Sequence, residues 1–292
     1  MRNWLYRCLI SFLFFIAASA FAQPKVSITG MTEWEKMEIS ATVTLDLASA
    51  GFRMPVGRTQ GEAAIASEFT KLMIPGLLNI QVDSSSNIAD LVQRGELTIQ
   101  DIENLALQSR VVPPALSPDL SSLLGFYTLD MAKISSALIR HNHPSEILRT
   151  LNPIPAPAYT GIVIIAAETL PVHSMRSSAL IQPCLFPKIW DTEMNLIFER
   201  NMFSPRNSTI VRYFPIRAIF SGGPSGLSPE IAAIVGERPL RIFARGVFGT
   251  HATDPIISRE DALLIISTEM NRNLLREGRI AIILDDSVLK YP

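Results

Sequence analysis

The chain contains 292 residues, with 26 Lys and Arg residues against 27 Asp and Glu residues, so its formal net charge is only −1. Because nucleic acids and anionic membranes attract clustered basic residues, this balance favours neither as a partner. Hydrophobic residues make up 48% of the chain, which is enough to build a core and excludes an intrinsically disordered protein.

The first 22 residues have the order of a cleavable signal peptide. Arg2 and Arg7 precede an apolar run at residues 9–16, and the small-residue pattern of residues 20–22 follows. The apolar run is too short for a membrane-spanning helix, which needs roughly 18 or more residues. We therefore expect cleavage after Ala22, export to the periplasm or the exterior, and no membrane span in the mature chain. Retention of the segment as an N-terminal anchor is the alternative.

One cysteine, Cys184, lies beyond the predicted cleavage site, since Cys8 belongs to the signal peptide. An intramolecular disulfide is therefore excluded in the mature chain, even in an oxidising compartment. The apolar neighbours of Cys184 predict a buried thiol that serves as a small hydrophobic side chain.

Hydrophobic periodicity predicts strands and helices in the first half of the chain. Thr59 and Glu62 have the spacing of a capping box, and we expect Pro75 to end the helix that they open. The prolines at positions 113, 114 and 118 are expected to turn the chain. The predicted elements are a strand at 37–46, helices at 59–73, 88–94 and 99–109, a strand at 126–129 and a helix at 131–140.

A proline-rich segment separates two predicted halves. Pro153, Pro155 and Pro157 favour an extended, semi-rigid connector. The predicted organisation is a signal peptide at 1–22, an N-terminal α+β unit at 23–152, the connector at 153–158 and a C-terminal α/β unit at 159–292.

The second half begins with residues 161–167, whose continuous apolar run is typical of a central strand buried on both faces. The further predicted elements are strands at 179–186, 210–213 and 216–220, a helix or turn at 192–201, a helix capped by Ser228, a strand at 240–248, a long helix from 258 to 277 and a strand at 279–284. Strand, helix and strand in this final order favour a right-handed parallel crossover. The predicted fold class is α/β or α+β, with a mixed sheet, packed helices and a C-terminal strand-helix-strand unit.

The candidate catalytic residues lie around the two last predicted strands. Asp285 and Asp286 close the final strand, and His251 and Asp254 follow the strand at 240–248. If these strands were adjacent and parallel, all four groups would lie at their carboxyl ends, where open α/β sheets build sites. The carboxylates could then hold a metal or act as acid and base with His251. Structural turns after the strands are the alternative interpretation.

Other motifs give no cofactor site. The glycine-rich loop at 221–226 lacks the spacing and the Lys-Ser or Lys-Thr of a phosphate loop. His141 and His143 have no third metal ligand nearby, so a polar helix end explains them. No G-x-S-x-G nucleophile elbow is present. We therefore expect neither a cofactor nor a bound metal.

Two resemblances to known families follow from particular segments. Residues 34–73, above all Ala50 to Arg58, resemble the strand-and-helix module of flagellar assembly T and LPP20-type bacterial envelope proteins. The segments Pro183 to Asp191, Arg245 to Gly249 and Thr253 to Pro255 are similar to a group of exported spirochaete proteins. The second resemblance covers most of the chain, but it implies no activity and no site residues.

The export signal, the missing catalytic motif and these resemblances favour a non-enzymatic periplasmic factor. Its expected role is envelope or flagellar assembly or binding, with another envelope protein as its partner. A periplasmic hydrolase or metal-binding enzyme with a site near Asp285 and His251 is the alternative. Binding of a small ligand between the two halves is a third possibility, and it requires a concave pocket there.

Overall fold

A computed structural model of the chain describes residues 26–53, 57–204, 210–220 and 226–291. The predicted signal peptide at 1–22 and most of the glycine-rich loop, residues 221–225, lie outside the described residues. Helices and strands combine into an α+β fold with separate antiparallel and parallel sheets, which confirms the predicted fold class. No helix in these four ranges is long and apolar enough to cross a membrane.

The elements of the first half alternate between strands and helices. In chain order they are β1 (Val26–Glu33), β2 (Glu38–Asp46), α1 (Gly57–Leu78), β3 (Gln81–Asp83), β4 (Ser86–Asn87), α2 (Ile88–Gln93), α3 (Ile99–Leu107), β5 (Arg110–Leu116), β6 (Ser122–Asp130) and α4 (Met131–Leu138). Thr98 caps α3 with Asp101 in a capping box.

The second half contains shorter strands. In chain order they and their helices are β7 (Ile162–Ile165), β8 (Leu170–Pro171), β9 (Ser178–Ala179), β10 (Ile189–Asp191), β11 (Leu196–Phe198), β12 (Arg212–Pro215), α5 (Pro229–Val235), β13 (Leu240–Phe243), β14 (Gly246–Phe248), β15 (Asp254–Ile257), α6 (Arg259–Ile266), α7 (Glu269–Arg276), β16 (Ile280–Leu284) and β17 (Lys290–Tyr291). Three 3-10 turns, Arg200–Met202, Ile216–Ile219 and Asp286–Val288, join some of them.

The first sheet has the strand order β17-β1-β2-β6-β5 and is antiparallel throughout. Buried and part-exposed residues alternate along β2, as the sequence predicts for a strand with one face on a core. Helix α1 packs on that face, where the ring of Phe69 stacks on Tyr127 with 3.6 Å between centroids.

Two expectations about proline are wrong in this half. Helix α1 continues through Pro75 to Leu78, because Pro75 lies on the exposed face and costs one helical hydrogen bond while Leu77 beyond it is buried. Pro113 and Pro114 do not turn the chain but lie within β5. That strand is at the sheet edge and its register shifts between Val112 and Ala115, which is a position where proline is tolerated.

The parallel sheet of the second half has the order β12-β16-β7-β13. Strand β7 lies inside the sheet, which confirms the prediction of a central strand at 161–167. The strands β13 and β16 are parallel as predicted, but they are not neighbours because β7 separates them.

Four boundaries predicted for the second half are wrong. The run at 240–248 divides into β13 and β14, which belong to different sheets. Thr268 accepts a hydrogen bond as an N-cap, and so divides the long helix into α6 and α7. Residues 216–219 form a 3-10 turn rather than a strand. Residues 180–186 are irregular, and the N–H groups of Leu185 and Phe186 donate to the carbonyls of Gln81 and Val82 in the first half.

The two halves share one continuous set of buried hydrophobic residues. Strand β17, from the end of the chain, pairs with β1 at Thr32↔Tyr291 and Glu33↔Lys290 and so completes the first sheet. The proline-rich segment at 153–158 has no regular secondary structure. The domain limits drawn from it stay a prediction.

Trp34, at the turn between β1 and β2, is the main side chain at the contact between the halves. It is 0% exposed, and its indole N–H donates to the Tyr291 hydroxyl at 2.7 Å. The indole ring meets Tyr213 of β12 edge-to-face, with 5.8 Å between centroids. The Tyr213 hydroxyl donates in turn to the Cys184 carbonyl at 2.8 Å. Burial raises the pKa of the Cys184 thiol, and the prediction that it is a buried hydrophobic side chain is confirmed.

The Trp34–Tyr291 hydrogen bond can be tested by Tyr291→Phe. This variant leaves the buried indole N–H without an acceptor, so we expect the free energy of unfolding to fall by about 1–3 kcal/mol. Urea denaturation followed by circular dichroism measures the change. In the control Tyr159→Phe, the hydroxyl removed forms no hydrogen bond with any described residue, and the expected change in the free energy of unfolding is within about 0.5 kcal/mol. Equal effects in the two variants would contradict the assignment.

Gly161 tests the packing of β7 against α5. A Cβ atom at Gly161 would lie 2.4 Å from the Cα of Val235, so we expect Gly161→Ala to lower the free energy of unfolding by about 1–3 kcal/mol. Gly76 in α1 has no atom within 4 Å of a Cβ position, and Gly76→Ala should raise stability by about 0.5–1 kcal/mol. Urea denaturation compares both variants with the parent protein. If both variants changed the free energy of unfolding in the same direction, the close approach of Gly161 to Val235 would not explain the effect of Gly161→Ala.

Candidate functional site: the cleft between the two halves

Asp285 and Asp286 lie at the carboxyl end of β16, where the sequence places them. The Asp285 carboxylate accepts hydrogen bonds from the backbone N–H and the hydroxyl of Ser287, and these bonds hold the pKa of Asp285 below its ordinary value. It therefore caps the turn Asp286–Val288 as an anion. Asp286 pairs with Arg217, which follows β12 in the same sheet.

His251 and Asp254 lie in another part of the second half. Asp254 opens β15, and its carboxylate is fully buried between the backbone N–H of Lys188 at 3.1 Å and the Thr253 hydroxyl at 3.0 Å. His251 is exposed, and its backbone N–H donates to the carbonyl of Ser84.

The four predicted site residues therefore do not form one hydrogen-bonded cluster. Across the described ranges, no hydrogen bond or ion pair links His251 or Asp254 with Asp285 or Asp286. The physical reason is the division of the run at 240–248, since β14 and β15 form a second sheet with β10 and β11. The same ranges contain no group of three or more His, Cys, Asp or Glu side chains that could hold a metal ion.

The histidine pair is also divided between different surroundings. The Nε2 atom of His141 lies 2.9 Å from the Phe203 carbonyl oxygen, whereas His143 is exposed. A polar segment after α4 accounts for both.

A cleft of about 790 Å³ does open beside the carboxyl end of β12, between the two halves. One wall is the turn and strand start after Trp34, and the other is the end of β12 with the 3-10 turn that follows it. The first turn of α5 adds a third side. The residues lining the cleft are Glu35, Lys36, Glu38, Arg212, Phe214, Pro215, Arg217, Ala218, Ser228 and Glu230.

Arg217 bridges the two walls of the cleft. Its guanidinium pairs with Glu35 of the first half at 3.2 Å and with Asp286 of the second half. Asp286 thus contacts a residue that lines the cleft, whereas a catalytic role for Asp286 with His251 stays a prediction. Since the side chain of Arg217 is 60% exposed, this pair contributes little to stability by itself.

Lys36 is also engaged in an ion pair. Its ammonium lies 2.9 Å from the Glu33 carboxylate, and the hydrogen bond with Glu33 raises the pKa of Lys36. Lys290 of β17 reaches the same carboxylate at 3.4 Å. The Glu33 charge is therefore shared between two lysines.

Arg212 and Glu38 line the same cleft without an ion pair. The Nε atom of Arg212 is buried and has no hydrogen-bond acceptor among the described residues. An unpaired buried donor of this kind costs about 1–3 kcal/mol. No described Lys, Arg or His nitrogen lies within 4.0 Å of the Glu38 carboxylate, although the charge of Lys36 acts on it from farther away. Glu230 also lacks an ion pair among the described residues, but its carboxylate forms a hydrogen bond with Ser228.

Sequence reasoning reached the correct edge of the sheet but missed these two residues. Arg212 interrupts an apolar strand, and Glu38 opens the predicted strand at 37–46. A charge beside buried residues of a strand is the signal that could have indicated Arg212, because such a charge needs a partner or a ligand. Glu38 gives no comparable signal, since a polar residue at a strand start is ordinary.

The role of Asp254 can be tested by its pH dependence. Burial raises the pKa of Asp254 above its ordinary 3.8, although hydrogen bonds from Ser84, Lys188 and Thr253 oppose this shift. The folded state therefore binds the proton more tightly than the unfolded chain, and this contribution to stability is complete below pH 3.8 and lost as the pH rises through the folded pKa.

We expect the stability of the parent protein relative to Asp254→Asn to decline as the pH rises above 3.8, and urea denaturation over a pH series measures it. Asp285→Asn is the control with the opposite sign. Hydrogen bonds with Ser287 lower the pKa of Asp285. The stability of the parent protein relative to Asp285→Asn should therefore increase as the pH rises toward 3.8. A growing advantage of the parent over Asp254→Asn would contradict the assignment.

Comparisons with known proteins match two successive parts of the chain to one spirochaete protein. Residues 25–137 match the family model for the N-terminal domain of Treponema pallidum Tp0624, and residues 161–286 match the model for its second domain. No curated protein sequence matches the chain. The resemblance to spirochaete proteins is thus confirmed, whereas the likeness to flagellar assembly T and LPP20-type proteins stays a prediction. Together the two matches span about four fifths of the 292 residues, and the chain belongs to the family of Treponema pallidum Tp0624.

Proposed function

We propose that the protein is an exported, non-enzymatic binding factor of the cell envelope, and that the cleft between its halves holds the ligand. The observation that carries this proposal is the cleft of about 790 Å³ with the unpaired charge of Arg212 on its wall. Export is supported by the order of charged, apolar and small residues at 1–22.

The position and size of the cleft support ligand binding. Open parallel sheets bind ligands at the carboxyl ends of their strands, and β12 and β16 both end at this edge. Clefts of roughly 300–1,000 Å³ hold small molecules or short segments of larger ones. Contributions from both halves mean that a ligand would contact the first and second domains together.

A hydrolase or metal enzyme at Asp285 and His251 has less support. Asp285 is engaged with Ser287, and the backbone of His251 is held by Ser84. The residues of the cleft instead offer charged groups and the apolar surfaces of Phe214 and Pro215, which suits recognition. The expected partner, another envelope protein, is compatible with this role because a segment of it could supply the ligand.

Ala218→Trp tests the proposal by filling the cleft. The protein is dialysed against the small-molecule and peptide fraction of an envelope extract, and retained species are identified by native mass spectrometry. We expect the parent protein to retain a ligand and Ala218→Trp to retain it at least about tenfold more weakly, since the indole occupies the ligand volume. Ala66→Trp, on the exposed face of α1, is the matched control and should bind normally.

Two results would overturn the proposal. One is equal retention by Ala218→Trp and the parent protein, which would place the ligand elsewhere. The other is a parent protein that retains nothing from the extract. Thermal unfolding of both tryptophan variants checks that they are folded.

A further inference from the structure

We infer that the ligand of the cleft is a short peptide with free termini, whose carboxylate pairs with Arg212 and whose ammonium group pairs with Glu38. The inference rests on the proposed function, because it names the chemical class that the cleft would bind. It follows from which charges of the cleft already have partners and which do not.

Arg212 is the cation that an anionic group can use. Its guanidinium is permanently charged and presents donors in a fork that matches a carboxylate. No described acceptor pairs with it, and its Nε atom is shielded from solvent. The other two cations lining the cleft are occupied, Arg217 by Glu35 and Asp286, and Lys36 by Glu33.

Glu38 is the anion that a cationic group can use. In the sheet register it lies opposite Glu33 on β1 and opposite Asp130 on β6, so its cross-strand neighbours are both acidic. Glu33 is neutralised by Lys36 and Lys290, and Asp130 caps α4 by accepting from the Ala132 N–H at 2.8 Å. Glu38 is left with acidic cross-strand neighbours and no ion pair within 4.0 Å among the described residues, and only the more distant charge of Lys36 acts on it favourably, so an incoming cation can pair with it.

The wall that carries Arg212 also offers apolar surface to a ligand. Phe214 and Pro215 lie on the same wall as Arg212, and Ala218 follows them. A peptide with free ends carries a carboxylate, an ammonium group and an aliphatic body between them, and it therefore matches all three features. A simple anion such as phosphate matches Arg212, but it brings no cationic group for Glu38 and is repelled by the carboxylates of Glu38 and Glu230.

The probe is a tripeptide library in three forms: with free termini, acetylated at the amino end, and amidated at the carboxyl end. Binding to the full chain is measured by native mass spectrometry and by isothermal titration with the most enriched sequence. We expect the free form to bind at least tenfold more tightly than either capped form. This comparison uses the parent protein and so needs no variant to fold.

Two substitutions assign the charges. We expect Arg212→Gln to weaken binding of the peptide with free termini about tenfold. This variant should also no longer bind that peptide more tightly than the amidated form. Glu38→Gln should instead bind the peptide with free termini no more tightly than the acetylated form. Arg238→Gln and Glu237→Gln, both exposed and outside the cleft, are the controls and should leave both preferences unchanged.

The outcomes separate this inference from the proposed function. If the capped forms bind as tightly as the free form, or if no peptide binds while Ala218→Trp still abolishes retention of an envelope ligand, the peptide assignment is wrong and the cleft remains a binding site. If peptides bind equally to Ala218→Trp and the parent protein, the cleft is not the site and both proposals fail.

Discussion

The edge-to-face contact between Trp34 and Tyr213 fixes how the two halves meet, and the cleft depends on it. Trp34 directly follows β1, and the next residues along the chain form one wall of the cleft. Tyr213 points to the shared core, while its neighbours Arg212 and Phe214 point to the other face of the parallel sheet and form the opposite wall. The same two elements therefore close the core and leave an opening beside it.

The buried aspartates of the second half are surrounded by hydrogen-bond donors. Asp254 is buried among hydrogen-bond donors, and Asp191 is buried against Arg259 at 2.6 Å with Asn195 as a further donor. A buried carboxylate without such partners would be strongly destabilising, so these aspartates have to be surrounded in this way. Arg212 and Glu38 differ from these aspartates, because neither forms an ion pair with any described residue.

The sequence was a good guide where one local signal decides the structure. The alternation of β2, the apolar run of β7 and the cap of α5 at Ser228 each predicted the correct element. It failed where tertiary contacts decide, as for the irregular run that ends at Phe186, whose backbone bonds with β3 of the other half. The candidate site followed the same division. Asp285 and Asp286 indicated the correct sheet edge, but the strand order that separates β13 from β16 is not encoded in spacing.

Strand β17 joins residues that are far apart in the chain, since Trp34 and Tyr291 are 257 positions apart. During synthesis the first half emerges long before β17, and until then the end of β1 is paired only with β2 and the indole N–H of Trp34 lacks its acceptor. Pairing of such distant segments is slow, because a long loop must close first. The sheet at the start of the chain is thus completed only after β17 has been made, and the cleft beside Trp34 acquires its final form at that point.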